Sequence, residues 1–123
     1  MRPHHQLDVW KKAVDVSVAI YRCTDGFPRD ERSGLTSQLR RAAVSIAANI
    51  AEGAARKSSR EFVNFLSIAQ GSASEVETEL IIARRLNYLS EAEFGELTIA
   101  LDEIGRMITG LSSYLKARST DPT

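Results

Sequence analysis

Carboxylates at helical intervals are the first reactive groups that stand out in this sequence. Glu75 and Glu79 lie one helical turn apart, and with Glu52 they could bridge two metal ions in a bundle core. Such di-iron sites also draw on Glu-x-x-His pairs from other helices. The only histidines, His4 and His5, stand ahead of the first helical segment and read as part of a mobile terminus. Cys23 is the only cysteine, so an internal disulfide or a cysteine zinc site is excluded, and a lone thiol inside a helical pattern reads as packing. No glycine-rich phosphate loop, nucleophile elbow or Ser/His/Asp set is present. The expectation is a protein with no catalytic residues, no cofactor and no metal; a metal-dependent enzyme in the bundle core is the weakest alternative.

Arginine is the second chemical signal. Twelve of the sixteen basic residues are Arg, a bias that suits bidentate contact with carboxylate or phosphate. Arg40 and Arg41 form one pair, and Arg56, Lys57 and Arg60 the sharpest cluster. These five are the candidate nucleic-acid contacts, although a solvated loop would look the same. Sixteen acidic residues balance the sixteen basic ones, so no overall field draws the molecule to nucleic acid or anionic lipid. The distribution is uneven: residues 22–60 carry a net +4 and residues 61–103 a net −7. Positive surface on one copy could therefore meet negative surface on another.

The segments that carry these groups read as helices. Phe62, Leu66, Ala69, Ala73, Val76, Leu80 and Ala83 alternate four and three apart, a bundle or coiled-coil seam. Phe94, Leu97, Leu101, Ile104, Ile108, Leu111 and Leu115 repeat the pattern. Ser58 with Glu61, and Ser90 with Glu93, are capping boxes that mark the two starts. Each helix would reach roughly 40 Å, and the short link Asn87 to Ser90 forces them to lie antiparallel. Val9, Ala13, Val16 and Ile20 make a first helix that Gly26 and Pro28 end, with Phe27 packing back as a plug. Leu35, Leu39, Ala42, Ala43, Ile46 and Ile50 make the second, which Gly53 is expected to stop.

This spacing predicts an all-α, antiparallel up-down-up-down four-helix bundle in one domain over residues 1–123, with helices at about 8–24, 35–52, 59–87 and 91–117 and mobile ends at 1–6 and 119–123. The opening residues offer no apolar stretch for a signal peptide, and no run approaches the roughly 20 apolar residues of a membrane span. A cytoplasmic protein is expected.

The second helix is apolar on more than one side. At about 100° per residue, Val44, Ala47, Ala48 and Ala51 fall on a flank away from Leu39 and Ile46. Such a helix is normally covered on both sides, which suggests a second copy on that flank or else merely an Ala-rich helix. Between the two faces runs a polar strip, Gln38, Arg41, Ser45, Asn49 and Glu52. Asn49 and Glu52 are candidates for setting the register of helices or subunits, with Arg41 as a partner.

The run LTSQLRRAAVSIAANIAEG, Leu35 to Gly53, closely resembles the signature of the four-helix bundle proteins known as 23S ribosomal RNA intervening-sequence proteins. LDVW from Leu7 to Trp10, Phe27 with Pro28, AQGS from Ala69 to Ser72 with Glu75, and Leu111 extend the resemblance over nearly the whole chain. The resemblance implies an up-down bundle that assembles into a ring-shaped homopentamer. It also implies likeness in fold to the accessory protein of diversity-generating retroelements, which engages a reverse transcriptase and nucleic acid. Two positions depart from the family pattern: Ala47 stands where proline is frequent, and Gln70 where a basic residue is frequent. The resulting expectation is a non-enzymatic homo-oligomeric scaffold or adaptor, with RNA or a nucleoprotein as partner. The alternative is a direct nucleic-acid-binding protein that uses the basic residues.

Overall fold

The computed structural model describes residues 2–119, apart from the side chain of Ser119. Four helices account for most of it: α1 (Asp8–Thr24), α2 (Leu35–Ala54), α3 (Ser59–Arg85) and α4 (Glu91–Ser119). Each packs on its neighbours in chain order and α4 closes against α1, while the backbones of the diagonal pairs α1–α3 and α2–α4 stay apart among the described residues. Cross-helix contacts give the directions. Ser45 meets Ser72 while Gly53, further along α2, meets Phe62, earlier in α3. Thr24 and Ser17 of α1 reach Arg40 and Ala43 of α2 in reversed order. The bundle is all-α with antiparallel neighbours.

The apolar seams read from the sequence form its core. Ile20, Leu39, Ile46, Ile50, Leu66, Val76, Leu80 and Ile104 are fully buried, and Phe27 plugs one end against the Tyr88 ring. Local chemistry sets the helix ends. Ser90 and Glu93 close a complete capping box: the Ser90 N–H donates to Glu93 Oε1 at 2.9 Å and the Glu93 N–H to Ser90 Oγ at 3.0 Å. At Ser58 only half of the box forms, since the Glu61 N–H donates to Ser58 Oγ but the Glu61 carboxylate takes the serine hydroxyl. α3 ends in a Schellman motif: Asn87 adopts φ 63°, and the amides of Asn87 and Tyr88 close onto the carbonyls of Arg84 and Ala83. That turn aims the Tyr88 hydroxyl at Glu31, to which it donates at 3.0 Å, while the other Glu31 oxygen accepts from the Leu35 N–H.

Three boundaries differ from the sequence expectation. α2 does not stop at Gly53 but runs to Ala54, because Gly53 is a packing residue: it lets α3 approach through Phe62 and Phe65. α3 ends at Arg85 rather than at residue 87, where the left-handed Asn87 reverses the chain. The segment 1–6, expected to be mobile, contains over its described part a 3₁₀ turn, Pro3–Gln6, that rests on α1 and α2, with His4 and His5 against the Trp10 ring. α4 continues to Ser119, and the expected mobile residues 120–123 lie outside the described residues.

Candidate functional site

Arginines gather where α1 ends and α2 begins. An open cleft of about 810 Å³ lies there between Tyr21, Thr24 and Asp25 of the α1 end and Thr36, Ser37, Arg40, Arg41 and Val44 of α2, with Arg29 and Arg32 from the connecting turn on its rim and Phe27 beneath. Arg40 is committed to holding the two helices together. Its Nε donates to Thr24 Oγ1 at 2.9 Å and its Nη2 to the Tyr21 carbonyl at 3.2 Å and Asp25 Oδ1 at 3.0 Å, and the guanidinium lies 4.6 Å over the Tyr21 ring. It thereby adds a donor to the Tyr21 carbonyl in the last turn of α1, which the Thr24 hydroxyl also reaches at 3.2 Å, and a cation there complements the helix dipole. Among the described residues, Arg29, Arg32 and Arg41 have no such partner.

The second predicted cluster lies at the other end of α2. Arg56 donates to Glu52 at 2.9 Å and covers the Phe65 ring at 4.8 Å, while Lys57 and Arg60 are exposed. About 22 Å of helix separates Arg41 from Arg56, so the five predicted basic residues do not form one site. Two residues of the basic cleft, Arg29 and Arg32, were missed by sequence reasoning. Their three-residue spacing next to Pro28 was the available signal, but only the reversal of the chain between α1 and α2 places them beside Arg41.

The groove between α2 and α3 holds the polar strip. Ser45 Oγ and Ser72 Oγ share a hydrogen bond of 2.8 Å across it, and Asn49 Nδ2 donates back to Ser45 within α2. The expected pairing of Arg41 with Asn49 or Glu52 is absent within the chain, because Glu52 is drawn to Arg56 one turn on and Asn49 to Ser45 one turn back. Glu79 lines the same groove with Gln38, Arg41 and Glu75. It is only 8% exposed, its Oε1 has no hydrogen-bond partner, and burial together with the neighbouring Glu75 carboxylate pushes its pKa up.

Apolar side chains flank this groove. On the outer side of α2, Val44 is 43% exposed, Ala48 is exposed and Ala51 is half-buried, whereas Ala47 turns towards the core. On α3, Ile68, Ser72, Glu75, Glu79 and Ile82, with Leu86 at its C-cap, share one stripe at alternating spacings of four and three. Its three apolar members are 52%, 45% and 49% exposed.

Elsewhere, the Cys23 thiol is pushed up to about 11 by burial and the nearby Glu93 carboxylate, which leaves it a poor nucleophile. No three His, Cys, Asp or Glu side chains among the described residues are placed to hold a metal ion. No helix among them is long and apolar enough to cross a membrane.

These features define a small four-helix bundle whose distinctive chemistry lies on its outer surface, in an arginine cleft and an uncovered helix pair. The chain belongs to the 23S rRNA-intervening sequence protein family, whose model matches residues 5–110. A crystal structure of a protein of unknown function from the S23 ribosomal protein family of Bacteroides thetaiotaomicron has the same fold. Its TM-score is 0.76 at 25% sequence identity, with 85% of this chain and 97% of that one covered. A comparison with curated proteins finds no match.

Proposed function

We propose that this protein is a non-enzymatic, cytoplasmic scaffold that works as a homo-oligomer, with the pentamer of the family resemblance as its assembly and RNA or a nucleoprotein as its partner. The observation that carries this reading is the uncovered outer face of α2 and α3. Isolated exposed apolar residues are ordinary, but two helical stripes flanking one groove are the usual mark of a surface that another helix covers. The buried, unpartnered oxygen of Glu79 in the same groove adds weight, since a second subunit supplying a donor would remove its desolvation penalty. The remaining positive and negative surfaces favour docking of unlike patches over like ones.

Light scattering coupled to size exclusion tests the assembly. The expected mass is a defined multiple of 13.6 kDa, and Ile82→Glu lowers it while the far-ultraviolet circular dichroism stays helical. A mass equal to the monomer at micromolar concentration and moderate salt refutes the reading. Direct, extended nucleic-acid binding is disfavoured as the main activity by the split of the basic residues into two separated clusters.

A further inference from the structure

We infer that the arginine cleft between the end of α1 and the start of α2 is a binding site for a phosphate monoester. The inference is independent of self-association and rests on three observations that meet at one place.

The first is charge without a counter-charge. Four arginines and one carboxylate line the cleft, and that carboxylate, Asp25, is already bound to Arg40. Arg29, Arg32 and Arg41 have no ion pair; Arg41 also borders the groove of Glu75 and Glu79, so the charge that nothing offsets is that of Arg29 and Arg32. The nearest acids on the adjoining turn do not neutralise it: Asp30 is not among the lining residues, and Glu31 is held by the Leu35 N–H and the Tyr88 hydroxyl. Guanidinium groups match phosphate oxygens in pairs, which is why arginine rather than lysine is selected for such sites.

The second is a buried donor with nothing to donate to. Thr36 is 4% exposed, it lines the cleft, and its Oγ1 has no hydrogen-bond partner. A buried hydroxyl left this way is unfavourable unless a ligand completes it. The third is the start of α2 itself. No side chain caps it through Gly34, its first backbone bond runs from the Gln38 N–H to the Gly34 carbonyl, and Glu31 takes only the Leu35 amide. The amides of Thr36 and Ser37 remain as orphan donors at the positive end of the helix dipole, a ready-made anion site.

A monoester fits better than the backbone of a long strand. Its phosphate carries up to two charges and three free oxygens, enough to engage the arginines, the threonine hydroxyl and the helix amides together. A strand would need a continuous basic track, and the next basic cluster lies at the far end of α2, beyond the acidic groove of Glu75 and Glu79. A cleft of about 810 Å³ is within the range of small-ligand sites and admits a mononucleotide. The same chemistry has two sources, a free phosphorylated small molecule or the phosphorylated end of a strand.

Isothermal titration of the full-length protein with inorganic phosphate, AMP and adenosine tests the inference, alongside two versions of one short oligoribonucleotide, 5′-phosphorylated and 5′-hydroxyl. AMP is expected to bind and adenosine not. The double variant Arg29→Gln with Arg32→Gln, both on an exposed turn, weakens binding by about tenfold or more. Thr36→Val weakens it by severalfold without lowering the thermal midpoint of the free protein, since it removes an unpaired hydroxyl. Lys57→Ala with Arg60→Ala leaves it unchanged. Binding of the 5′-phosphorylated strand but not of AMP supports the site and assigns the strand end as its source. Equal binding of the two strands, binding of adenosine as tight as that of AMP, indifference to the arginine pair, or no heat with any phosphate at millimolar concentration overturns the inference.

Discussion

Replacing Gly53 by alanine probes the closest contact in the fold. An added Cβ would lie 2.8 Å from Phe62 Cδ1, 2.8 Å from Phe65 Cβ and 3.3 Å from the Phe62 carbonyl oxygen. The Phe62 ring edge can swing aside, but Phe65 Cβ and the carbonyl are tied to the α3 backbone. Ordinary carbon contacts need about 3.5–4.0 Å, so α3 must retreat by more than half an ångström along its tightest packing partner. Overpacking of this kind costs about 1–3 kcal/mol, offset by at most ~1 kcal/mol of gained helix propensity. With the full offset the net loss is about 0–2 kcal/mol, a fall in thermal midpoint of up to roughly 8 °C for a domain of this size. Gly71→Ala is the internal control: Gly71 is exposed in the middle of α3 with nothing within 4 Å of its added Cβ. Propensity alone then acts, and the midpoint rises by a few degrees. Circular dichroism melts at one fixed protein concentration, which removes the mass-action contribution of assembly, compare the two. If Gly53→Ala stabilises as much as Gly71→Ala, the close approach of α2 and α3 is wrong.

Glu79→Gln tests the buried carboxyl. Burial and Glu75 raise its folded pKa above the unfolded value, so the folded chain holds more protons in that window and stability falls as pH rises through the folded pKa. Urea midpoints at pH 8 should therefore favour the variant more than at pH 5; an equal difference at both refutes the shift. Tyr88→Phe removes the bond to Glu31 but keeps the contact with Phe27, and a loss of about 1 kcal/mol in urea unfolding is expected. Ser90→Ala opens the complete capping box of α4 and should cost about 1 kcal/mol. Hydrogen exchange localised to the first turn of α4 would place that loss.

Much of the architecture was legible because its signals are local. The alternating seams of α3 and α4 and the Ser58 and Ser90 starts arise from contacts three and four residues apart, which recur wherever such a segment meets an apolar partner. The bundle class and the buried Phe27 plug follow from those signals and the short links. Gly53 shows where local reading fails: as a weak helix former it looked like a stop, but its role comes from Phe62 and Phe65 on another helix. His4 and His5 looked loose because nothing beside them in sequence reveals that they reach the Trp10 ring.

The candidate site was only half legible for the same reason. Arg40 and Arg41 were visible as a pair, yet which of them is free depends on Thr24 and Asp25, across a chain reversal. Arg29 and Arg32 join them only because the turn folds back over the start of α2, and Arg56, Lys57 and Arg60 are carried away by the length of the same helix. The helices could be read without any fold, because periodicity and capping act within a few residues of each other. Which charges are spent, which stand together, and that Thr36 and Glu79 are buried with unpaired side-chain oxygens emerge once the helices pack, because burial and hydrogen bonding between helices depend on groups far apart in the chain.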